Sequence, residues 1–265
     1  MAVTLSAVQR LDRWVAETSL PLTLAETSTE VLDRNGALMR VYPVGDGIWR
    51  MAPQLEQVDP NFIAMLTAYE DKRFFSHVGV DPLAMLRAVG QALWNGRAVS
   101  GGSTLTMQLA RLLEDGTTGA WAGKIRQIRL ALALERRLSK RQILALYLTH
   151  APYGGNLEGI RAASYAWFGK GPNRLTPSQA ALLIALPQSP ERRRPDRAPQ
   201  AAQAARDRVL ARLQGAGLLT AGEVATAVKT SVPRRMQGFP RLAPHLTDRL
   251  IASRPGAARL AVTLD

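Results

Sequence analysis

The chain has 265 residues, enough for one large domain or two small ones, and its 46% hydrophobic and 21% charged residues exclude a disordered or fibrous polymer. Its 34 Lys and Arg against 21 Asp and Glu leave a net charge of +13, which calls for an anionic partner: nucleic acid, an anionic bilayer surface or a phosphorylated substrate. Cysteine is absent, so thiolate metal sites, cysteine nucleophiles and disulfides are excluded.

Residues 1 to 25 show weak helical periodicity. No uncharged apolar run reaches the roughly 18 residues a spanning helix needs, and Arg10, Asp12, Arg13 and Glu17 interrupt any signal-peptide-like stretch. A membrane anchor, if the protein works at a membrane, is therefore expected in another segment. Thr29 to Asp33 and Ala37 to Tyr42 flank Arg34-Asn35-Gly36 and predict a hairpin, because Asn-Gly tolerates positive φ. It is the one convincing β signal.

From Asp59 onward helices are predicted over 60–71, 82–95, 103–114, 120–137, 140–149, 156–167, 177–186, 199–214 and 221–229. Their starts are marked by Asp59-Pro60 and Asp81-Pro82, an N-cap before proline, and by capping-box spacing at Ser139/Gln142, Thr176/Gln179 and Thr220/Glu223. Apolar residues recur at helical intervals, as in Phe62, Ile63, Leu66 and Tyr69 or Ile143, Leu144, Tyr147 and Leu148. The proline-flanked basic stretch Gln188 to Arg197 reads as a solvated connector. Leu260 to Asp265 reads as the start of a strand with no partner. The fold class is mainly α with a small N-terminal β-hairpin.

Two polar clusters interrupt these apolar helices. Glu70 stands where a helix should end; a carboxylate there meets the negative end of the dipole and is a candidate general base, although Lys72 and Arg73 pull the other way. The bland alternative pairs Glu70 or Asp71 with Arg73 on the surface. His77 has its own, a hydrogen-bonded histidine that fixes the turn before Gly79. Gly101-Gly102-Ser103-Thr104 opens a helix carrying Gln108 and Arg111, and offers backbone N–H groups to an anion or simply a helix cap. Lys124, Arg126, Arg129, Arg136 and Arg137 read as a solvated helical face. Asp81 to Val99 has the composition of an interfacial helix with a cationic rim, or of core.

In order along the chain, Glu70-Asp71 with Phe74, His77 and Gly79; Gly101 to Thr104 with Thr106 and Gln108; Lys124 with Gln127 and Glu135; Ser139-Lys140 with Ile143, Leu144, Tyr147 and Leu148; and Arg206 with Val209-Leu210 resemble the five motifs of the family 51 peptidoglycan glycosyltransferases. The resemblance is strongest to the glycosyltransferase module of class A penicillin-binding proteins of the 1C type, through Gly47-Ile48-Trp49-Arg50, and covers about residues 28 to 265.

It implies a lysozyme-like fold of two lobes and a domain plan of 1–27 as an anchor-proximal segment, 28–50 as the hairpin region, 51–230 as the glycosyltransferase domain and 231–265 as linker toward a transpeptidase domain. No Ser-x-x-Lys motif is present, so no penicillin binding is expected of this chain. The implied activity is polymerisation of lipid II into β-1,4 glycan strands with inversion and release of undecaprenyl pyrophosphate, at the periplasmic face of the bacterial inner membrane. The segment 81–99 would dip into the leaflet. The implied partners are lipid II, nascent glycan, the membrane surface and cell-wall synthase proteins, and no nucleic acid, which would use the charge but none of the motifs.

Glu70 matches the family's general base. Lys124, Arg111 and Arg126 match cations for the departing diphosphate, and Asp71, Phe74, His77, Gly102, Ser103, Thr104, Gln108, Gln127 and Glu135 match other residues of the substrate cleft. A divalent cation, Mg²⁺ or Mn²⁺, is the family's usual helper; its site is unassigned. Gln127 departs from the family's glutamate, and an amide neither titrates nor holds a metal as a carboxylate does. Met107 and Thr149 are lesser departures. Two alternatives follow: a weakened lipid II-binding or scaffold module, and a lysozyme-type glycoside hydrolase, which needs two acids across the scissile bond.

Overall fold

The computed structural model describes residues 2–21, 23, 26–95, 102–114 and 121–263. Arg97, Val99, Gly101 and the last two residues lie outside these. The chain forms two compact units, one of residues 1–24 with 66–147, the other of 25–65 with 148–265.

In the first unit, α1 (Ala2–Ala16) and α4 (Leu105–Leu113) both pack on α5 (Trp121–Arg137). Leu105, Met107, Leu109 and Ala110 of α4 and Leu130, Ala131, Ala133 and Leu134 of α5 are buried where these helices are packed, while Gln108 is half-buried and Arg111 exposed. The cations of α5 are not a free solvated face. Arg129 Nε donates to the Trp14 carbonyl at 2.9 Å and to Thr18 Oγ1 at 2.8 Å, with its guanidinium 4.9 Å over the Trp14 ring. Arg136 pairs with Asp12 at 2.5 Å, and Arg137 reaches the Thr18 carbonyl at 3.2 Å. Three arginines thus pin α1 along one side of α5. The unit also holds the last turn of α2 (Pro60–Glu70), α3 (Pro82–Asn95) and most of α6 (Lys140–His150). Asp81 caps α3, accepting from Ala84 N at 2.8 Å, and also pairs with Arg73.

In the second unit the predicted hairpin is present as β1 (Thr29–Leu32) and β2 (Leu38–Tyr42), antiparallel, with Asp33 Oδ1 accepting from Asn35 N at 2.8 Å and Ala37 N at 2.7 Å to close the turn. Leu260 does have a partner: β5 (Arg259–Ala261) pairs parallel with β1, and Arg259 reaches the buried Glu30, which Arg161 also grips at 2.8 Å. A second small sheet joins β3 (Trp49–Arg50) to β4 (Leu157–Glu158). That pairing takes residues 157–158 out of the predicted helix, so α7 runs Ile160–Phe168. Gly159 turns between them at φ 84°, where a Cβ would sit 2.9 Å from the Thr149 carbonyl.

α8 (Pro177–Ala185) and α10 (Ala221–Lys229) begin with complete capping boxes, and α9 (Pro199–Gly215) packs on both. The fully buried Arg206 of α9 ties them together, donating to Ser178 Oγ at 3.1 Å, to the Val228 carbonyl at 3.1 Å and to the Thr230 carbonyl. The basic loop is less solvated than expected: Arg193 donates to the Ala185 carbonyl at 2.7 Å, and Arg194 is buried against Asp196 at 2.8 Å. α11 (Pro244–Ser253) was not legible as a helix.

Candidate active site

The sequence-predicted residues divide into two groups within the first unit. The inner group starts at Asp71, one residue past the end of α2. Its side chain is 3% exposed and that of His77 is 5% exposed; His77 Nε2 lies 2.9 Å from Asp71 Oδ2. Gly79 N donates to His77 Nδ1 at 3.2 Å, so Nδ1 carries no hydrogen and Nε2 is the donor to the carboxylate. Asp71 Oδ2 also accepts from Leu105 N at 2.9 Å, one of the unpaired amides at the start of α4. Thr104, the N-cap of α4, accepts from Met107 N at 3.1 Å and donates to the Gly79 carbonyl at 2.5 Å. The loop 71–79 and the start of α4 are thereby laced together through buried polar groups with every partner supplied.

Gly79 is the one residue that fits there: at φ 92° a Cβ would meet the Ala131 carbonyl oxygen at 2.7 Å. Glu135, farther along α5, accepts from Thr106 Oγ1 at 2.7 Å and from Lys140 Nζ at 2.6 Å. The Lys140 ammonium in turn lies 4.6 Å over the ring of Phe74, which is 1% exposed. Asp71, Phe74, His77, Thr104 and Glu135 therefore hold one another. The hydrogen-bonded-histidine reading of His77 matches this geometry, and Arg73 pairs with Asp81 rather than with Glu70 or Asp71.

The outer group lies along α4. Glu70, half-buried at the C-terminus of α2, accepts from Gln108 Nε2 at 2.9 Å, and Gln108 Oε1 accepts from Tyr147 Oη at 3.4 Å. Tyr147 thus fixes which end of the amide faces the carboxylate. Sequence reasoning set it among the core residues of its helix because its spacing fits that stripe; the phenol oxygen was the signal. One turn beyond Gln108, Arg111 is exposed, and just before α4 Ser103 accepts from Lys124 Nζ at 2.5 Å. Burial, with the Arg111 guanidinium adding to it, pushes the Lys124 ammonium below its ordinary pKa. Gly102 lies against α3, where a Cβ would be 3.3 Å from Met85 Cα.

Two residues stand apart. Arg126 points to Glu114 at 3.7 Å and is half-exposed, two positions and therefore more than half a turn around α5 from Lys124. Gln127, one turn past Lys124 on the same side, is 9% exposed. The groups at this place are the Lys124 ammonium, the Arg111 guanidinium and the Ser103 hydroxyl, with the buried Gln127 amide one turn along α5, and no group of three His, Cys, Asp or Glu able to hold a metal occurs among the described residues. Mg²⁺ or Mn²⁺ seeks anionic oxygen, so the expected cation does not fit this donor set.

Penicillin-binding protein 1C of Escherichia coli is 44% identical over 96% of this chain and 33% of its own length. Penicillin-binding protein 1A of the same organism is 36% identical over 64% of this chain and 20% of its own. The crystal structure of penicillin-binding protein 1A from Haemophilus influenzae superposes with a TM-score of 0.44 at 18% identity, covering 90% of this chain and 25% of that one. The chain thus spans a third or less of the length of these relatives. Residues 36–214 match the family model described as Transglycosylase, and this chain belongs to that family.

Proposed function

We propose that this chain is a peptidoglycan glycosyltransferase that polymerises lipid II. Glu70 removes the proton from the acceptor sugar's 4-hydroxyl as that oxygen attacks C1 of the donor. The C1–O4 bond forms on the face opposite the breaking C1–O phosphate bond, the configuration inverts, and the lipid diphosphate leaves with the electron pair. Lys124, Arg111 and Ser103 face that departing charge. A base and a cluster of cations facing the leaving group are what such a displacement needs. Asp71, Phe74, His77, Thr104 and Glu135 act as positioning residues that keep the start of α4, and with it Ser103 and Gln108, in register.

The observation that carries this reading is the arrangement along α4: Gln108 engages the Glu70 carboxylate, Ser103 just before the helix accepts from Lys124, and Arg111 in its last turn adds a second positive charge to the field of that ammonium. The family membership supports it, as do the names of the relatives, which are penicillin-binding proteins. Work at the periplasmic face of the inner membrane, with nascent glycan and other synthase proteins as partners, belongs to the same proposal. Among the described residues no helix is long and apolar enough to cross a membrane.

Purified protein with lipid II should give polymer that a muramidase digests, and Glu70→Gln should reduce the rate roughly 10²- to 10⁴-fold without changing the circular dichroism spectrum. An undiminished rate in the variant would remove Glu70 from the chemistry. The substitution of a glutamine at 127 favours a second reading, a module that binds lipid II without turning it over; lipid II affinity with no polymer would establish it.

A further inference from the structure

Resting on the glycosyltransferase reading, we infer that this chain holds the diphosphate leaving group with its own Lys124, Arg111 and Ser103, and turns lipid II over without a divalent cation. Lys124 is half-buried, and the hydrogen bond described for it goes to a neutral hydroxyl rather than to a carboxylate. Its electrostatic neighbour is a second cation, Arg111. An ammonium held on a hydroxyl in a partly desolvated place, with a second cation in its field, is costly in the free protein, and an arriving anion relieves that cost. A divalent cation entering the same place would raise it.

Among the described residues, the carboxylates of the site have partners of their own. Glu70 accepts from Gln108, Asp71 from His77 and Leu105 N, Glu135 from Thr106 and Lys140, and Glu114 faces Arg126. At the place one turn past Lys124 on α5, where a carboxylate would both neutralise the ammonium and offer a metal its anionic oxygen, the residue is the buried amide of Gln127. Two cations and a hydroxyl supply the charge and the directed hydrogen bonds that Mg²⁺ commonly supplies to a diphosphate.

The test uses the full chain and two measurements: initial rate of polymerisation, and affinity for fluorescently labelled lipid II, each in excess EDTA and in millimolar Mg²⁺ or Mn²⁺. Wild type should change less than about twofold between these conditions in both, while Gln127→Glu should lose more than about tenfold in rate when the metal is chelated. Electron paramagnetic resonance of Mn²⁺ with inorganic diphosphate should show protein-bound metal in Gln127→Glu and not in wild type. Polymer formed only with added metal, or metal-dependent affinity in wild type, overturns the inference and leaves the glycosyltransferase reading standing. No polymer under any condition overturns that reading instead, and the affinity measurement still decides whether the cations act without metal.

Discussion

Glu70 and Asp71 are adjacent carboxylates with opposite surroundings. Asp71 is buried and meets two donors that cannot easily leave, the Leu105 amide and the His77 ring. Glu70 is half-buried and accepts from the end of a long side chain, the Gln108 amide. The difference arises from the end of α2: successive side chains point about 100° apart around a helix, so one faces the start of α4 and α5, and the next faces the polar side of α4. A carboxylate tied to a backbone amide and a buried ring is a structural part. One held by the end of a long amide side chain stands half-buried at the polar side of α4, where the proposed reaction needs a base. Identical chemistry one residue apart thus serves rigidity in one case and, under the proposed function, reactivity in the other.

The comparison breaks most visibly at Gly79. Gly79→Ala forces a Cβ to 2.7 Å from the Ala131 carbonyl at a positive φ, and should cost about 2–5 kcal/mol in urea unfolding and take the activity with it. Next comes the pair itself. Asp71→Asn replaces one acceptor oxygen with a donor facing either the Leu105 N–H or the His77 Nε2–H, leaving a buried donor unpaired at a cost of about 1–3 kcal/mol. Glu70→Gln should change stability by under about 1 kcal/mol while removing polymerisation. Equal stability losses in the two variants would erase the distinction. Smaller still, Tyr147→Phe frees the Gln108 amide to turn its oxygen toward Glu70. We expect a rate several-fold lower, affinity for lipid II unchanged, and a stability loss of about 1 kcal/mol. A matching loss of affinity would mean that Tyr147 shapes the binding surface instead.

Much of the frame was legible because it rests on local signals. Proline-marked starts at Pro60 and Pro82, and capping boxes at Thr176 and Thr220, depend only on residues within one turn, so the helices fall where spacing puts them. β3 and β4 are two residues each and exist through pairing across the chain, which no periodicity shows; their pairing also moved the start of α7. α11 follows Ala243 in a left-handed conformation, and carries its helix in a region that reads as polar linker. The site residues were nameable from their polarity between apolar runs, but not their division. Sequence shows that Asp71, His77 and Thr104 are polar; that they spend their hydrogen bonds on one another depends on Gly79 letting the loop approach α5. The long arginine run of α5 misled for the same reason, since its partners lie more than a hundred residues away on α1.

Lys124 carries the smallest expected effect on stability, and its sign separates a binding cation from a structural one. Burial, and then Arg111, hold the folded-state pKa of this ammonium below the unfolded value. Between the two values the unfolded chain binds more protons than the folded one, so stability rises with pH across that window. Below it the cost of keeping a charged lysine in place is present in full, as at neutral pH. Lys124→Met removes that cost. The variant should therefore match or slightly exceed wild type in urea unfolding at pH 7, by under about 1 kcal/mol because the site is half-open to solvent, and the advantage should shrink as the pH approaches 10. Its affinity for lipid II should fall at every pH where wild-type Lys124 is charged. If the variant were instead less stable by a constant amount at both pH values, Lys124 would be holding Ser103 and α4 in place, and the diphosphate would have to find its counter-charge at Arg111 alone.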